Sequence, residues 1–213
     1  QERPLIPLQV DPPDHAKYRR VMDPQLALKH VAPLEESVRG LVNELIDEFA
    51  SRGSCDAHTE LTVPLPCTVF LQMCDLPLDE IDRFLAWKDD IIRPQLRHPE
   101  VSFDGAAATR LRHAAAAEIY EFFDGVIAER RSEPGDDLFS RFAQAEVDGD
   151  RMSHDQMRDA GFLFILAGLD TVTSTLDCSI AHLGREPALR DELVADPARI
   201  PDAVEELLRL HTP

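Results

Sequence analysis

The sequence predicts an all-α, mainly helical protein with a long central helix and little strand. The first observation is a stripe of apolar residues at helical spacing between Leu34 and Phe49. The second is an apolar pattern that runs from Ser153 to about Gly184, far longer than a strand. The third is that no repeat, low-complexity tract or linker divides the 213 residues into separate domains.

The helices are predicted in chain order from their apolar stripes and from the residues that end them. Gly53 is suited to the turn that ends the Leu34–Phe49 helix, because glycine readily takes positive φ. Pro64 and Pro66 fit the first turns of the next helix, where a missing N–H is tolerated. Asp148-Gly149 predicts a turn that could close a small hairpin. The predicted helices span residues 34–49, 60–75, 78–92, 103–131, 136–146, 153–184, 186–195 and 201–211, with an exposed loop over 93–102.

Composition excludes some classes of function. The chain has 22 basic and 40 acidic residues and a formal net charge of −18. This balance disfavours nucleic acid, because phosphate binding needs clustered Lys and Arg, and it disfavours an anionic membrane surface. The longest apolar run, Ala160 to Leu169, is also shorter than the roughly 20 residues that span a bilayer. We therefore expect neither nucleic acid nor a membrane as a partner.

The four cysteines indicate the compartment. Cys55, Cys67, Cys74 and Cys178 form no Cys-x-x-Cys pair and no dense framework, which favours a reducing cytoplasm. The chain begins at Gln1 and ends directly after an apolar helix, so we expect it to be a piece of a longer protein.

The central helix carries an unusual group of residues. Ser153 followed by Gln156 predicts a capping box at its start. Its middle is apolar on every side and should run through the core, yet it contains Gly168 and Asp170. A helix-interior glycine costs about 1 kcal/mol relative to alanine, and an unpaired buried carboxylate costs more.

Thr171 suggests a use for this group. Its hydroxyl can bond back to the carbonyl of Ala167, which weakens the helix locally, while Gly168 leaves space beside that turn. Together with Asp170 this predicts a groove with one acid and one alcohol, able to deliver protons beside a small ligand. The alternative is a tolerated helix kink with a satisfied Asp170.

Two further pairs are ambiguous when each is taken alone. His15 and Arg19 lie four residues apart and could offer two donors to an anion, or could form an ordinary solvated helix start. Glu206 and Arg209 lie three apart, a spacing that is common in surface ion pairs.

The order of the three features is more informative. Asp-Pro-Pro-Asp-His-x-x-x-Arg from Asp11, Ala-Gly-Leu-Asp-Thr from Ala167, and Glu-x-x-Arg from Glu206 together resemble the cytochrome P450 family. These proteins are haem-thiolate monooxygenases, and the likeness is to the soluble bacterial kind. It extends over essentially the whole chain and implies a partial cytochrome P450 fold.

The resemblance implies a role for each motif residue. His15 and Arg19 match residues that hold the haem propionates, and Ala167 and Gly168 match the stretch over the distal haem face. Asp170 and Thr171 match the acid and the alcohol that deliver protons for O–O cleavage. Glu206 and Arg209 match a pair that fixes the core.

One feature of the family has no counterpart. Its axial cysteine lies in a Phe-x-x-Gly-x-x-x-Cys-x-Gly loop after the Glu-x-x-Arg helix, and this chain ends at Pro213 without such a loop. None of the four cysteines has that context, so structural or inert thiols are the better interpretation. We expect residues 1–213 to form a single partial domain that lacks the N-terminal strands and the cysteine loop, with no metal ligand of its own.

The resemblance predicts a haem b monooxygenase that inserts one atom of O2 into a small organic substrate, with electrons from a ferredoxin-type donor. Because the overall charge would repel an acidic donor, Lys17 and Arg20 are candidates for a local docking patch. The chain alone is expected to be inactive. The alternatives are a helical small-molecule-binding or regulatory protein without redox activity, and a truncated chain that cannot bind haem.

Overall fold

A computed structural model of the chain describes residues 5–147 and 149–212. These residues are mostly helical, with one short antiparallel strand pair. The α-helices are α1 (Asp14–Met22), α2 (Leu28–Val31), α3 (Leu34–Ala50), α4 (Pro64–Met73), α5 (Ile81–Ile92), α6 (Ala106–Ser132), α7 (Leu138–Gln144), α8 (His154–Leu166), α9 (Val172–Arg185), α10 (Pro187–Ala195) and α11 (Ile200–Leu210), and the strands are β1 (Glu146–Val147) and β2 (Asp150–Arg151).

The predicted helices are present, with two refinements. Wider π-helical turns precede α4 at His58–Thr62 and join α8 to α9 at Ala167–Thr171. Ser153 and Gln156 form the predicted capping box at the start of α8. Gly149 has a φ of +85° between the strands, as the hairpin requires, whereas Asp148 lies outside the described residues.

The predicted exposed loop over residues 93–102 is wrong in part. It contains a single 3-10 turn, Pro94–Leu96, and Pro94 is buried. Arg97 donates to Asp90 of α5 at 2.5 Å, which ties the segment back onto that helix. Polar and proline residues are typical of a solvated loop, but Arg97 and Arg93 of this segment form ion pairs with Asp90 and Asp170.

The core lies where α5, α6, α7 and α8 meet. Phe84, Phe123, Phe139 and Phe142 are fully buried there. A Cβ atom built on Gly161 of α8 would lie 2.8 Å from the ring of Phe123 on α6. Because such a contact is far inside van der Waals distance, α6 and α8 can approach this closely only with glycine at that position.

The central helix divides into two different environments. Along α8, the residues Met157, Ala160 and Ile165 are fully buried, whereas Thr173 is the buried residue of α9. The expectation that the middle of the helix is buried on every side is therefore right only in part. Leu163, Phe164 and Leu166 of α8 are half-buried, and Ala167 and Thr171 beyond it are exposed. By length and composition alone the helix from His154 to Arg185 could cross a membrane, a test that core helices also pass.

Candidate functional site at the turn of the central helix

The turn between α8 and α9 has the local geometry that the sequence predicts. The hydroxyl of Thr171 donates to the carbonyl of Ala167 at 2.6 Å. Thr173 and Thr175 repeat this pattern toward Leu169 at 2.7 Å and toward Thr171 at 3.0 Å. Hydroxyls that bond four residues back compete with the helical ladder, which accounts for a π-helical turn at this position.

One side of the turn is open and formed by small or apolar groups. Ala167 and Val172 are exposed, and a Cβ atom on Gly168 would meet only the ring of Phe70, at 3.7 Å. The predicted space beside Gly168 is therefore present. A flat apolar ligand could lie against this surface without displacing any side chain of α8.

Asp170 lies on another side of the turn and is partnered. Its carboxylate forms an ion pair with Arg93, and the ammonium of Lys88 lies 4.0 Å from the same oxygen. Lys88 is buried and also pairs with Asp89 at 2.7 Å. The acid and the alcohol of the motif do not share one groove, because Asp170 lines a cavity that Thr171 does not.

Sequence reasoning missed Arg93 and Lys88. Arg93 stands at the start of the segment assigned as an exposed loop, directly before a proline. Lys88 is the single lysine among the largely apolar residues that follow Arg83 in α5. A buried cation on an apolar helix needs a carboxylate partner, and that requirement was the available signal.

The cavity beside Asp170 has a volume of about 320 Å³. Its walls come from the first π-helical turn and the residue after it, from α5 and the segment after it, and from the second π-helical turn and α9. The lining side chains are mostly polar and include His58, Thr59, Lys88, Asp89, Arg93, Asp170, Thr173, Ser174 and Asp177.

The α1 residues are placed on the surface. His15 is half-buried, and Arg19 pairs with Asp23 at 2.7 Å with a largely exposed side chain. Lys17 pairs with Asp14 at 2.8 Å and is exposed, as Arg20 is. α1 connects to the start of α8 through the Tyr18 hydroxyl, which accepts a hydrogen bond from Gln156 at 3.4 Å.

Glu206 and Arg209 form the predicted pair. Two hydrogen bonds of 2.7 Å join the guanidinium to the carboxylate, from Nε to Oε2 and from Nη2 to Oε1. These bonds lower the pKa of Glu206 and raise that of Arg209. Both side chains are exposed, so the pair alone has the geometry of an ordinary surface ion pair.

The cysteines are placed as structural or unreactive thiols would be. Cys67 and Cys74 are buried, and burial raises the pKa of Cys67 to about 12 and that of Cys74 further. A buried neutral thiol is a poor metal ligand. Cys55 and Cys178 are exposed. Within residues 5–147 and 149–212, no three His, Cys, Asp or Glu side chains are grouped to hold a metal ion.

Comparisons with known proteins agree with the family resemblance. A family model described as cytochrome P450 matches residues 6–212. A steroid C26-monooxygenase of Mycolicibacterium smegmatis is 35% identical over 100% of this chain and 52% of its own length. Cytochrome P450 130 of Mycobacterium tuberculosis is 35% identical over 95% of this chain and 49% of its own length.

Solved structures agree as well. The cytochrome P450 PksS of Bacillus subtilis superposes with a TM-score of 0.87 at 26% identity, over 95% of this chain and 50% of that structure. The open form of cytochrome P450 EryK from S. erythraea gives a TM-score of 0.86 at 28% identity, over 98% and 52%. The chain thus spans about half the length of the relatives it matches.

Proposed function

The chain belongs to the cytochrome P450 family, and from that premise we propose that the whole protein is a haem-dependent monooxygenase. It would insert one atom of O2 into a small organic substrate, with residues 1–213 forming one part of a single catalytic domain. The observation that carries the proposal is the π-helical turn, with its open side at Ala167 and Gly168, the Thr171 hydroxyl and the partnered Asp170.

The residues at the turn fit a haem. The open surface formed by Ala167, Gly168 and Val172 suits the flat face of a porphyrin, and Gly168 has no side chain to obstruct it. His15 and Arg19 would hold the propionates, since both can donate to a carboxylate. The axial thiolate would come from a part of the whole protein outside this chain, and Glu206 with Arg209 would stabilise the fold near it.

The haem, when bound, would supply the activation of O2, and this chain would supply protons and an apolar surface. Thr171 would order a water molecule beside the open face, because its hydroxyl can accept a hydrogen bond while it donates to Ala167. Asp170 would carry a proton from the cavity side of the turn toward that water. Between transfers the carboxylate would pair with Arg93.

The test of this role is Thr171→Ala in the whole, haem-loaded protein. We expect haem binding to be retained but the reaction to become uncoupled, with reduced oxygen released as hydrogen peroxide, because the water beside the open face is no longer ordered. The ratio of product to electrons consumed measures this. Thr175→Ala is the matched control, since it removes an equivalent back-bond one turn later. Equal coupling in parent and Thr171→Ala would exclude the proton-delivery role.

A second part of the proposal concerns the electron donor. We propose that an acidic ferredoxin docks at α1 through Lys17 and Arg20, which are both exposed. Reversing both charges should slow association several-fold at low salt, and the difference should shrink as salt screens the field. Arg110 and Arg190, exposed on α6 and α10, provide a charge-matched double control. Stopped-flow reduction that is equally fast in both double variants would remove α1 from the docking surface.

The cellular location follows from the same premise. We propose that the whole protein is cytoplasmic, as is typical of soluble bacterial members of the family. The four cysteines support this location, because all are free and a reducing compartment keeps them so.

A further inference from the structure

The cavity beside Asp170 also contains a histidine and a second carboxylate. We propose that His58, held in place by Asp177, exchanges protons between solvent and this cavity and so supplies Asp170. This inference rests on the proposed function, and it adds to it a proton-transfer residue, His58, and a positioning residue, Asp177.

The cavity wall contributed by the central helix is a continuous polar stripe. Asp170, Thr173, Ser174 and Asp177 all line the cavity, and their spacing of three, four and seven residues puts them on one helix face. The two carboxylates are separated by two helical turns, or about 10 Å along the axis. A cavity of about 320 Å³ has room for a chain of several water molecules between them, at about 30 Å³ each.

His58 lies where this cavity meets solvent. It is exposed and also lines the cavity. Its Nδ1 lies 2.8 Å from a carboxylate oxygen of Asp177, whose other oxygen accepts a hydrogen bond from the buried Thr62 hydroxyl. Among the described residues, Nε2 of His58 has no hydrogen-bond partner, so this nitrogen is available to water.

The Asp177 contact determines which ring nitrogen is free. A carboxylate cannot donate, so the neutral ring must place its proton on Nδ1 and leave the lone pair on Nε2. Asp177 is itself fixed by Thr62, and Thr173 donates to the Thr62 carbonyl at 3.1 Å. The first π-helical turn is thereby joined to α9 at the point where the imidazole is held.

The other charged groups of the cavity are compatible with a protonated imidazole. α5 and the residue after it contribute Lys88, Asp89 and Arg93, and the central helix contributes Asp170 and Asp177. Two cations face three carboxylates, which leaves one negative charge when His58 is neutral. A protonated His58 balances that charge, so the cavity tolerates the proton before it moves on.

The transfer is balanced in protons and involves no electrons. A solvent proton binds Nε2 of the neutral ring, and the imidazolium then gives a proton to cavity water. That water gives a proton to a carboxylate oxygen of Asp170. Asp170 then gives a proton to the water that Thr171 would order, and its carboxylate returns to the ion pair with Arg93. An imidazole suits this task because one ring nitrogen can accept a proton and release it again while the other keeps its hydrogen bond.

The first test needs no haem. In the 15N spectrum of the whole apoprotein, the neutral His58 ring should be almost entirely the Nδ1–H form, and Asp177→Asn should convert it to a mixture of forms. A parent spectrum dominated by the Nε2–H form would overturn the proposed arrangement.

The second test uses turnover by the whole, haem-loaded protein. His58→Gln can keep the hydrogen bond to Asp177 but cannot titrate. It should lower kcat about tenfold, less than the 10²–10⁴-fold typical of general acid–base groups because solvent can still enter the cavity. The kcat of this variant should depend less on pH than that of the parent, with substrate affinity unchanged. His154→Gln is the matched control, since that ring also pairs with a carboxylate, Asp124, at 2.7 Å.

The outcomes separate the two proposals. Parent-like kcat and pH profile in His58→Gln, with slow turnover in Asp170→Asn, would overturn the His58 relay and leave the proposed function intact. Parent-like turnover in Asp170→Asn would overturn the role of Asp170 and the relay with it. If His58→Gln does not fold, Asp177→Asn must show a lower kcat and an altered pH profile, or the relay is wrong.

Discussion

The two halves of the central helix have almost opposite surroundings. α8 begins at a complete capping box and is packed against α6 so tightly that Gly161 contacts a phenylalanine ring. α9 begins at a π-helical turn, and its side chains are mainly half-buried or exposed. The well-packed half therefore positions the helix, whereas the π-helical turn and the loosely covered half present the groups to which we assign the chemistry. Functional groups concentrated where local rules are broken are a general property of natural proteins.

The largest expected effect concerns haem binding, which we assign to the loosely covered half of the central helix. The 213-residue chain expressed alone should not form a thiolate-ligated haem protein, because its buried thiols are held neutral and none has the setting of an axial ligand. The reduced, carbon-monoxide-bound spectrum should lack the red-shifted Soret band of thiolate ligation. Observing that band at near-stoichiometric haem would show that the 213-residue chain supplies an axial thiolate by itself.

The next largest effect is the difference in stability lost when one isoleucine in each half of the central helix is shortened to alanine. Ile165→Ala in α8 should destabilise the 213-residue chain by about 2–5 kcal/mol, because it removes a fully buried side chain and leaves a cavity. Ile180→Ala in α9 removes the same atoms from a half-buried site and should cost about half as much or less. Denaturant unfolding measures both changes. Equal losses would show that α9 is as well packed as α8.

A smaller effect on stability is expected from a surface clamp between α6 and α8, formed by Asp124, His154 and Arg158. Asp124 of α6 accepts hydrogen bonds from His154 at 2.7 Å and from Arg158 at 3.2 Å, both on α8. Burial alone would raise the pKa of Asp124, but these hydrogen bonds lower it below its ordinary value of 3.8. The contribution to stability is therefore present above that value and is lost as the pH falls through the lowered pKa.

Asp124→Asn tests this contribution. It should cost about 0.5 kcal/mol near neutral pH, a small value because the clamp is half-exposed. The difference between parent and variant should disappear in strong acid, where both side chains are neutral. A cost that stays constant down to that pH would assign the effect to packing instead of charge.

The sequence was informative wherever the interacting groups are close along the chain. The Thr171 bond to Ala167, the capping box at Ser153 and the pair of Glu206 and Arg209 span three or four residues, so helical geometry alone predicts them. Two of them, at Thr171 and at Glu206 with Arg209, lie in motifs that carry the family resemblance.

The missed interactions are those that tertiary folding creates. Arg93 and Asp170 are 77 residues apart, and His58 and Asp177 are 119 apart. No spacing rule connects such positions, because their distance depends on how α5, the first π-helical turn and α9 pack. The exposure of Thr171 was also beyond prediction, since an apolar helix can be covered by other chain segments or left open.

The π-helical turn also bears on how this chain can change through descent. A turn of this kind contains one more residue than the α-helical turn it replaces. Removal of one residue between Ala167 and Thr171 would restore a regular helix, and because the π-helical turn absorbs its extra residue locally, α9 would keep nearly the same rotation relative to α8. Asp177 would then still face His58, whereas the bond between Thr171 and Ala167 would be lost. A one-residue gap at this position in a relative would therefore mark a change confined to this turn, with the packing of α9 retained.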